Sequence, residues 1–183
     1  MTHSNHRPIL RQWGARARNL RDFMRNKQKG FSLIELLIVV AIILIIAAIA
    51  IPNLLRSKMA ANEASAVSSL RSLNTACVTF ATSFNGFPAA MSYLGGEGTS
   101  SAPTSTTAEL IDNVLQTGIK SGYTFSWSAA APDSSGNIDN YAITAAPITP
   151  GVSGLRYFYA DQTGVIRANA SGAAATSSST PIS

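Results

Sequence analysis

The sequence predicts an α+β fold in which one long N-terminal α-helix, a membrane half followed by an amphipathic half, packs on a three- or four-stranded antiparallel sheet. Three observations support this prediction. Residues 31–51 form an unbroken apolar run, residues 67–84 carry apolar side chains at helical spacing, and residues 123–167 show the alternation of strands. The helix therefore precedes the sheet along the chain.

The apolar run, FSLIELLIVVAIILIIAAIAI over residues 31–51, is long enough to cross a membrane. As a helix it would span about 31 Å at 1.5 Å per residue, which matches the hydrocarbon core of a bilayer. Eight Lys or Arg and one acidic residue precede it, and no comparable basic cluster follows Pro52. This asymmetry predicts a single pass with the N-terminus in the cytoplasm.

Beyond residue 30 the charge balance reverses, with six basic and eight acidic residues. The body therefore lacks the basic excess that is typical of nucleic-acid-binding domains. Both histidines, His3 and His6, lie in the basic segment. The single cysteine, Cys77, lies among the apolar side chains of residues 67–84, where a buried and inert thiol is expected. We expect neither an enzyme nor a bound cofactor, and no nucleic-acid partner.

Glu35 does not fit a plain membrane anchor. A carboxylate at mid-membrane costs about 2.5–3.5 kcal/mol, while each surrounding Ile, Leu, Val or Phe contributes about −0.3 to −0.6 kcal/mol, so insertion survives. An intramembrane carboxylate is expected to have a cationic partner. No Lys or Arg occurs between Phe31 and Leu55. The partner is therefore expected on another chain or at a new N-terminal amine.

The candidate cleavage site, Lys29-Gly30-Phe31, precedes the apolar run. A secretory signal peptide has the opposite order, because it is cut after its apolar region. Gly30 would let an extended backbone enter a tight protease site without side-chain interference. A cut between Gly30 and Phe31 would create the new amine at the start of the helix.

The segment KGFSLIELLIVVAIILIIAAIAIPNLL resembles the N-terminus of type IV pilins and of the related pseudopilins of type II secretion. The resemblance implies that a membrane peptidase cuts after Gly30 and methylates the amine of Phe31. It also implies that Glu35 faces the methylated amine of a neighbouring subunit, and that Pro52 lies in a bent or partly unwound stretch. The motif is specific because Gly, Phe, Glu and the apolar run must all fall in register.

The resemblance also implies partners and locations. The expected partners are a prepilin peptidase and methyltransferase, further copies of this chain, other pilin subunits and an inner-membrane assembly platform. The precursor would lie in a bacterial inner membrane, and the assembled protein in a cell-surface or periplasmic filament. The leader is long for this family. A start at Met24 would leave a seven-residue leader with three basic residues, so the first 23 residues are a candidate mis-assigned start.

Past the apolar run we expect Pro52 to interrupt the helix, because proline lacks the N–H donor and clashes with the preceding turn. The sequence Asn85-Gly86-Phe87-Pro88 should end the helix, with glycine in the left-handed position. A capping box from Thr106 to Glu109 predicts a short helix that ends at Gly118. The amphipathic half is predicted from a stripe of Val67, Leu70, Leu73, Cys77, Phe80 and Phe84.

The sheet is predicted from alternating sets of residues that turn-like sequences separate. One face should pack on the helix and the other should remain exposed. The sets expected to supply the core are Tyr123, Phe125 and Trp127, then Tyr141 and Ile143, then Leu155, Tyr157 and Tyr159, with Val165-Ile166-Arg167 as a fourth.

Two weaker sites lie in the C-terminal part. Asp133 and Asp139 flank Gly136 in one loop and are calcium candidates, because related pseudopilins bind that ion in a C-terminal loop. The spacing of an EF-hand is absent, and Asp-Ser-Ser-Gly is also ordinary turn chemistry. Asn169-Ala170-Ser171 fits the N-glycosylation sequon, against the alternative of an unmodified tail.

We predict a structural subunit of a type IV pilus-like filament. One alternative is a pseudopilin of a type II secretion system, and another is a minor pilin that acts as an adhesin or in DNA uptake. The predicted organisation is a leader that is removed (1–30), the membrane and assembly half of the helix (31–52), a globular domain that includes the amphipathic half (53–168) and a flexible low-complexity tail (169–183).

Overall fold

The computed structural model of the chain describes residues 30–96 and 102–182. They fall into two compact units, one ending at Ala47 and the other beginning at Ala48, and helix α1 (Leu33–Phe84) contributes to both. The predicted leader, apart from its last residue, lies outside the described residues, as does the candidate start within it.

The globular unit contains one antiparallel sheet whose strands are neighbours in chain order. A 3-10 turn (Met91–Leu94) and helix α2 (Asn113–Gln116) precede the sheet in sequence. The strands are β1 (Ile119–Lys120), β2 (Tyr123–Ala129), β3 (Tyr141–Pro147), β4 (Tyr157–Asp161), β5 (Arg167–Asn169) and β6 (Thr180–Pro181). The predicted α+β class is confirmed. The structure has six strands rather than the predicted three or four, because two-residue strands such as β1 and β6 are too short to produce an alternation pattern.

The core lies between the second half of α1 and the inner face of the sheet. Leu70, Leu73 and Cys77 are fully buried, and Phe80 is nearly so, which confirms the centre of the predicted helical stripe. Val67 and Phe84, at its two ends, are only partly buried. The facing side chains of the sheet are Tyr123, Phe125, Tyr141, Ile143, Ala145, Phe158 and Ala160. A fully buried leucine stabilises such a core by about 1.5–3 kcal/mol, so this face fixes where the helix docks.

The side chains of strand β4 face the opposite sides of the sheet from those predicted. Phe158 and Ala160 face the core, whereas Tyr157 and Tyr159 are half-buried and Leu155 is exposed. A one-residue error in register moves every side chain of a strand to the opposite face. Three aromatic residues in succession made the sequence of β4 compatible with both registers.

The end of α1 matches the prediction, but its interior does not. The helix ends at Phe84, and Asn85 rather than the following glycine takes the left-handed conformation, with φ of 56°. The predicted interruption at Pro52 is wrong, because the residues on both sides remain α-helical. The side-chain amide of Asn53 donates to the Ile49 carbonyl (3.1 Å), which adds a hydrogen bond to the turn where the proline removes one.

The predicted capping box is also wrong. Glu109 has a positive φ of 54° and lies outside any helix. Asp112 caps α2 instead, and its Oδ1 accepts a hydrogen bond from the Leu115 N–H (2.6 Å). Gly118 follows this helix as predicted, in the left-handed region with φ of 76°. Asp, like Thr, is a favoured N-cap residue, and this sequence offers both within seven residues.

The C-terminal segment differs from the predicted flexible tail. Strand β6 pairs with β5 through the register Arg167↔Pro181 and Ala168↔Thr180. The Arg167 side chain donates to the Ser179 carbonyl (3.2 Å), and Ala175 is buried. The low-complexity composition therefore hides an edge strand, since main-chain pairing depends little on side-chain identity.

Candidate functional site

Gly30 and Phe31 lie just before α1 in exposed, non-helical backbone. Phe31 is 81 % exposed. A Cβ atom added to Gly30 would meet no other atom within 4 Å, and its φ lies outside the left-handed region. The described structure therefore supplies no steric reason for glycine at this position. A requirement for glycine at this position would be consistent with a molecule that binds this segment.

Ser32 and Glu35 together form the start of helix α1. The Ser32 carbonyl accepts a hydrogen bond from the Leu36 N–H (3.2 Å), which makes Ser32 the N-cap residue. Glu35 is the third helical residue, and its Oε2 accepts a hydrogen bond from the Ser32 N–H (3.0 Å). This is one half of a capping box. This capping box is not among the features predicted from the sequence, although Ser-Leu-Ile-Glu has the required spacing.

The cap leaves part of the Glu35 carboxylate available. No hydrogen bond to Glu35 Oε1 occurs among residues 30–96 and 102–182, and the side chain is exposed. A carboxylate in the first turn is stabilised by the positive end of the helix dipole. Glu35 is thus an anionic group with one oxygen held by its own backbone and the other free to accept from a further donor.

The first half of α1 exposes an almost entirely apolar surface. None of its residues is buried. The large apolar side chains here are each 46–78 % exposed, and they include Leu36, Val40, Ile45 and Ile51. By length and composition this helix can cross a membrane. A helix that is apolar on all sides is stable in lipid or against other apolar surfaces, but not in water.

Glu63, which the sequence analysis did not single out, is a second carboxylate on α1 and is only 7 % exposed. Its Oε1 accepts from the N–H groups of Leu155 (2.8 Å) and Arg156 (3.1 Å), and its Oε2 accepts from Arg156 Nε (2.7 Å). Burial acts to raise the pKa of this carboxyl, but these hydrogen bonds together outweigh burial and hold the pKa below its usual value. No sequence pattern marks such a residue, because its partners lie more than ninety positions away.

The two calcium candidates are not brought into a ligand cluster. Asp133 Oδ1 accepts from the N–H groups of Ser135 and Asn137, both at 2.8 Å, which is the turn chemistry considered as the alternative. Asp139 is exposed. Among the described residues there is no group of three or more His, Cys, Asp or Glu side chains that could hold a metal ion.

Asn169 lies at the end of β5 and is half-buried. Its Oδ1 accepts hydrogen bonds from the N–H (2.9 Å) and the hydroxyl (2.8 Å) of Ser171, so the first and third residues of the sequon are hydrogen-bonded to each other. Its amide also lies within 3.4 Å of the Ala174 carbonyl. Glycosylation at Asn169 stays a prediction.

An apolar helix that can cross a membrane, with a carboxylate in its first turn and followed by a sheet in chain order, defines an α+β protein of the pilin type. The N-terminal residues 25–51 match the family described as the prokaryotic N-terminal methylation motif.

Two curated relatives extend the match. The chain is 35 % identical over 127 residues to the type IV wide pilus major component PilA4 of Thermus thermophilus, which covers 67 % of this chain and 95 % of that protein. It is 48 % identical over 54 residues to the type IV major pilin PilA of Myxococcus xanthus, covering 30 % of this chain and about a quarter of the relative (24 %). No solved structure matches. The chain belongs to the type IV pilin family.

Proposed function

We propose that this chain is a structural subunit of a type IV pilus-like filament, assembled through the apolar half of helix α1. The observation that carries the proposal is the exposed apolar surface of residues 33–51, which needs lipid before assembly and other helices afterwards. The names of both relatives describe pilus components, and this favours a pilus over the pseudopilus of a type II secretion system.

The precursor would be processed at Gly30. A prepilin peptidase would cut the bond to Phe31, and the new amine would be methylated. The open space around Gly30 supports this role, because the glycine is free of internal packing constraints and is exposed to a protease. A basic leader on the cytoplasmic side and an assembly platform in the inner membrane complete the proposed pathway.

Glu35 would then pair with the amine of a neighbouring subunit. Burying an isolated ammonium or carboxylate in a packed helical core costs several kcal/mol, and pairing the two removes much of that cost. The free Oε1 of Glu35 supports this role, because the carboxylate can accept from a neighbour without giving up its bond to the Ser32 N–H. Such a pair would favour one axial register, whereas apolar packing alone tolerates sliding by a turn.

The test is to change Gly30. In Gly30→Leu we expect the full-length precursor to accumulate in the membrane fraction, because a bulky side chain would block entry into the protease site. Ser32→Ala is the matched control, since it leaves both residues at the cut and the backbone cap unchanged. Mass spectrometry of wild-type filaments should find methylated Phe31 at the N-terminus. Filaments whose subunits begin at Met1 or Met24 would refute the proposal.

A further inference from the structure

C-terminal to helix α1, the large apolar side chains that remain exposed in the described part of the chain belong to two segments. One segment carries Leu110, Val114 and Ile119, and the other carries Ile148, Val152 and Leu155. The second set lies within the connection between β3 and β4, residues 148–156, which we call the β3–β4 loop. Its three apolar side chains are 53–58 % exposed.

The β3–β4 loop is held to helix α1 by polar contacts. The Glu63 carboxylate accepts three hydrogen bonds from the end of the loop, as described above. From the residue just before Glu63, the Asn62 side-chain amide donates to the Ser153 carbonyl (2.9 Å). The inner side of the loop is therefore anchored by a buried charge and an amide.

The sheet and the loop itself add further constraints. The Tyr123 hydroxyl donates to the Arg156 carbonyl (2.9 Å), and the Ile148 N–H donates to the Gly122 carbonyl (2.9 Å). A Cβ at Gly154 would collide with the Tyr123 side chain. Inside the loop, Ser153 bonds back to Thr149 through both its N–H and its hydroxyl. The loop thus has one well-defined conformation.

This arrangement reverses the usual pattern of a surface loop. Polar groups face the protein and are paired, while Ile148, Val152 and Leu155 face outwards. An ordered loop that presents apolar side chains has already lost most of the conformational entropy that binding would otherwise remove. Exposed apolar clusters on an ordered surface are typical of contact sites.

We propose that the β3–β4 loop is a contact surface for a second copy of this chain in the filament, an inference that rests on the proposed function. A helical homopolymer needs heterologous contacts, in which one patch of a subunit meets a different patch of the next. A second segment with exposed apolar side chains, which carries Leu110, Val114 and Ile119, is available for such a contact. Arg156, the charge within the loop, is already paired with Glu63, so burial would strand no unpaired charge there.

The position of the loop disfavours lipid as its occupant. Its anchor, Glu63, lies twelve residues past Ile51, the end of the apolar run. That distance is about 18 Å along the helix axis, whereas the headgroup layer on one side of a bilayer is only about 5–8 Å thick. If the helix crossed the membrane upright, the loop would lie beyond the headgroups.

The experiment compares labelling of Val152→Cys with a bulky maleimide in intact sheared filaments and in the same filaments dissociated by detergent. Ser135→Cys, in the exposed turn 133–137, is the matched control. The native Cys77 is buried and does not compete. We expect labelling at position 152 to be slower by about tenfold or more in filaments, since a contact core excludes solvent and probe. Labelling at position 135 should change by less than about twofold, as an exposed turn stays solvated.

Each outcome decides the question. Equal labelling at position 152 in filaments and free subunits would overturn the inference while leaving the filament itself established. Protection in the membrane fraction that disappears on assembly would overturn it in favour of lipid. Absence of filaments from wild-type cells would overturn the proposed function and this inference together.

A second measurement uses Val152→Asp. This variant should abolish most of the filament yield without changing thermal unfolding of the subunit. A normal filament yield would contradict the proposed contact at the β3–β4 loop.

Discussion

Helix α1 carries two carboxylates that differ in almost every physical respect. Glu35 is exposed and lies in the first turn, and within the described ranges its one hydrogen bond comes from a backbone N–H three residues away. Glu63 is buried and accepts three hydrogen bonds from residues more than ninety positions away. Glu35 has one oxygen without a hydrogen bond in the described part of the chain, whereas both oxygens of Glu63 are hydrogen-bonded within the fold.

The same contrast extends to the surroundings of the two residues. Around Glu35 no side chain of the helix is buried, whereas around Glu63 the helix begins to bury Ala66, Leu70 and Leu73. The first half of α1 therefore adds nothing to the packing of the described subunit, and the second half is part of its core. Changes in the first half should affect assembly alone, and changes in the second half should affect stability.

The largest effect is expected from Glu35→Val. This variant should insert and be processed, because an insertion penalty is removed and Gly30 is untouched, but it should fail to enter filaments. Glu35→Asp should be intermediate, because it keeps the charge and shortens the reach. We would measure processing in membranes and the yield of sheared filaments.

The hydrogen bond from Ser32 calls for a further control. Glu35→Gln keeps an acceptor for the Ser32 N–H, since glutamine also completes a capping box, but it removes the charge. If charge pairing is required, the Glu35→Gln variant should fail to enter filaments, as Glu35→Val does. A wild-type yield of filaments from Glu35→Gln would instead assign the role of Glu35 to the helix cap.

Next in size is Leu73→Ala in the buried half of α1. Removing this fully buried side chain should lower the free energy of unfolding by about 2–5 kcal/mol. Ile43→Ala, on the exposed half, should change it by less than about 0.5 kcal/mol. Urea unfolding of detergent-solubilised chain can be followed by Trp127, which stacks on Tyr141 with ring centroids 5.0 Å apart. Similar effects from both variants would contradict the division of the helix into two roles.

Glu63→Gln should have a smaller but pH-dependent effect. At neutral pH we expect the free energy of unfolding to fall by about 1.5–3 kcal/mol, the usual contribution of a hydrogen bond to a charged group. Asp112→Asn is the control, because its 2.8 Å ion pair with Lys120 is exposed and asparagine still serves as an N-cap.

The sign of the pH effect follows from the lowered pKa of Glu63. The unfolded chain binds a proton at the ordinary value near 4.5, before the folded chain does. The free energy of unfolding should therefore fall as the pH drops below about 4.5 and through the folded-state pKa. Glu63→Gln should lack this part of the decrease. A wild-type unfolding curve with the same acid dependence as the variant would contradict the assignment.

The smallest effect concerns Cys77. Burial raises the pKa of its thiol to about 12, so the reactive thiolate is scarce at pH 8. Alkylation should be slow in the folded chain and fast in urea, whereas Val78→Cys, at the adjacent exposed position, should add a thiol that reacts in both states. Mass spectrometry would count the modified thiols. Rapid modification of native Cys77 would show that the second half of α1 opens readily.

The features that could be predicted from the sequence are those with short periods. The apolar run, the stripe through Leu70 and Leu73, and the alternation of β2 and β3 each repeat over several turns or residues, and all appear in the structure. The left-handed stop after Phe84 was predicted from its residue types, although Asn85 rather than glycine adopts it.

The failures have separate physical causes. The register of β4 could not be decided because adjacent aromatic residues satisfy either face. The docked tail was missed because β6 pairs through its backbone, and Pro52 was misjudged because one lost hydrogen bond does not end a long helix. At the site, Gly30, Phe31 and Glu35 were predicted from a local sequence motif. Glu63 could not be predicted in this way, because its contacts form only in the folded chain.

The hydrogen bond between the Ser32 N–H and Glu35 has a consequence for the timing of maturation. Both residues lie on the retained side of a cut after Gly30, and the amide that carries this N–H survives that cut. Hydrolysis would thus add a positive charge next to an already finished helix end, with no refolding step in between. Since proteolysis is not reversed by ligand binding, the subunit would pass once and in one direction from a form stored in lipid to a form competent for growth of the polymer.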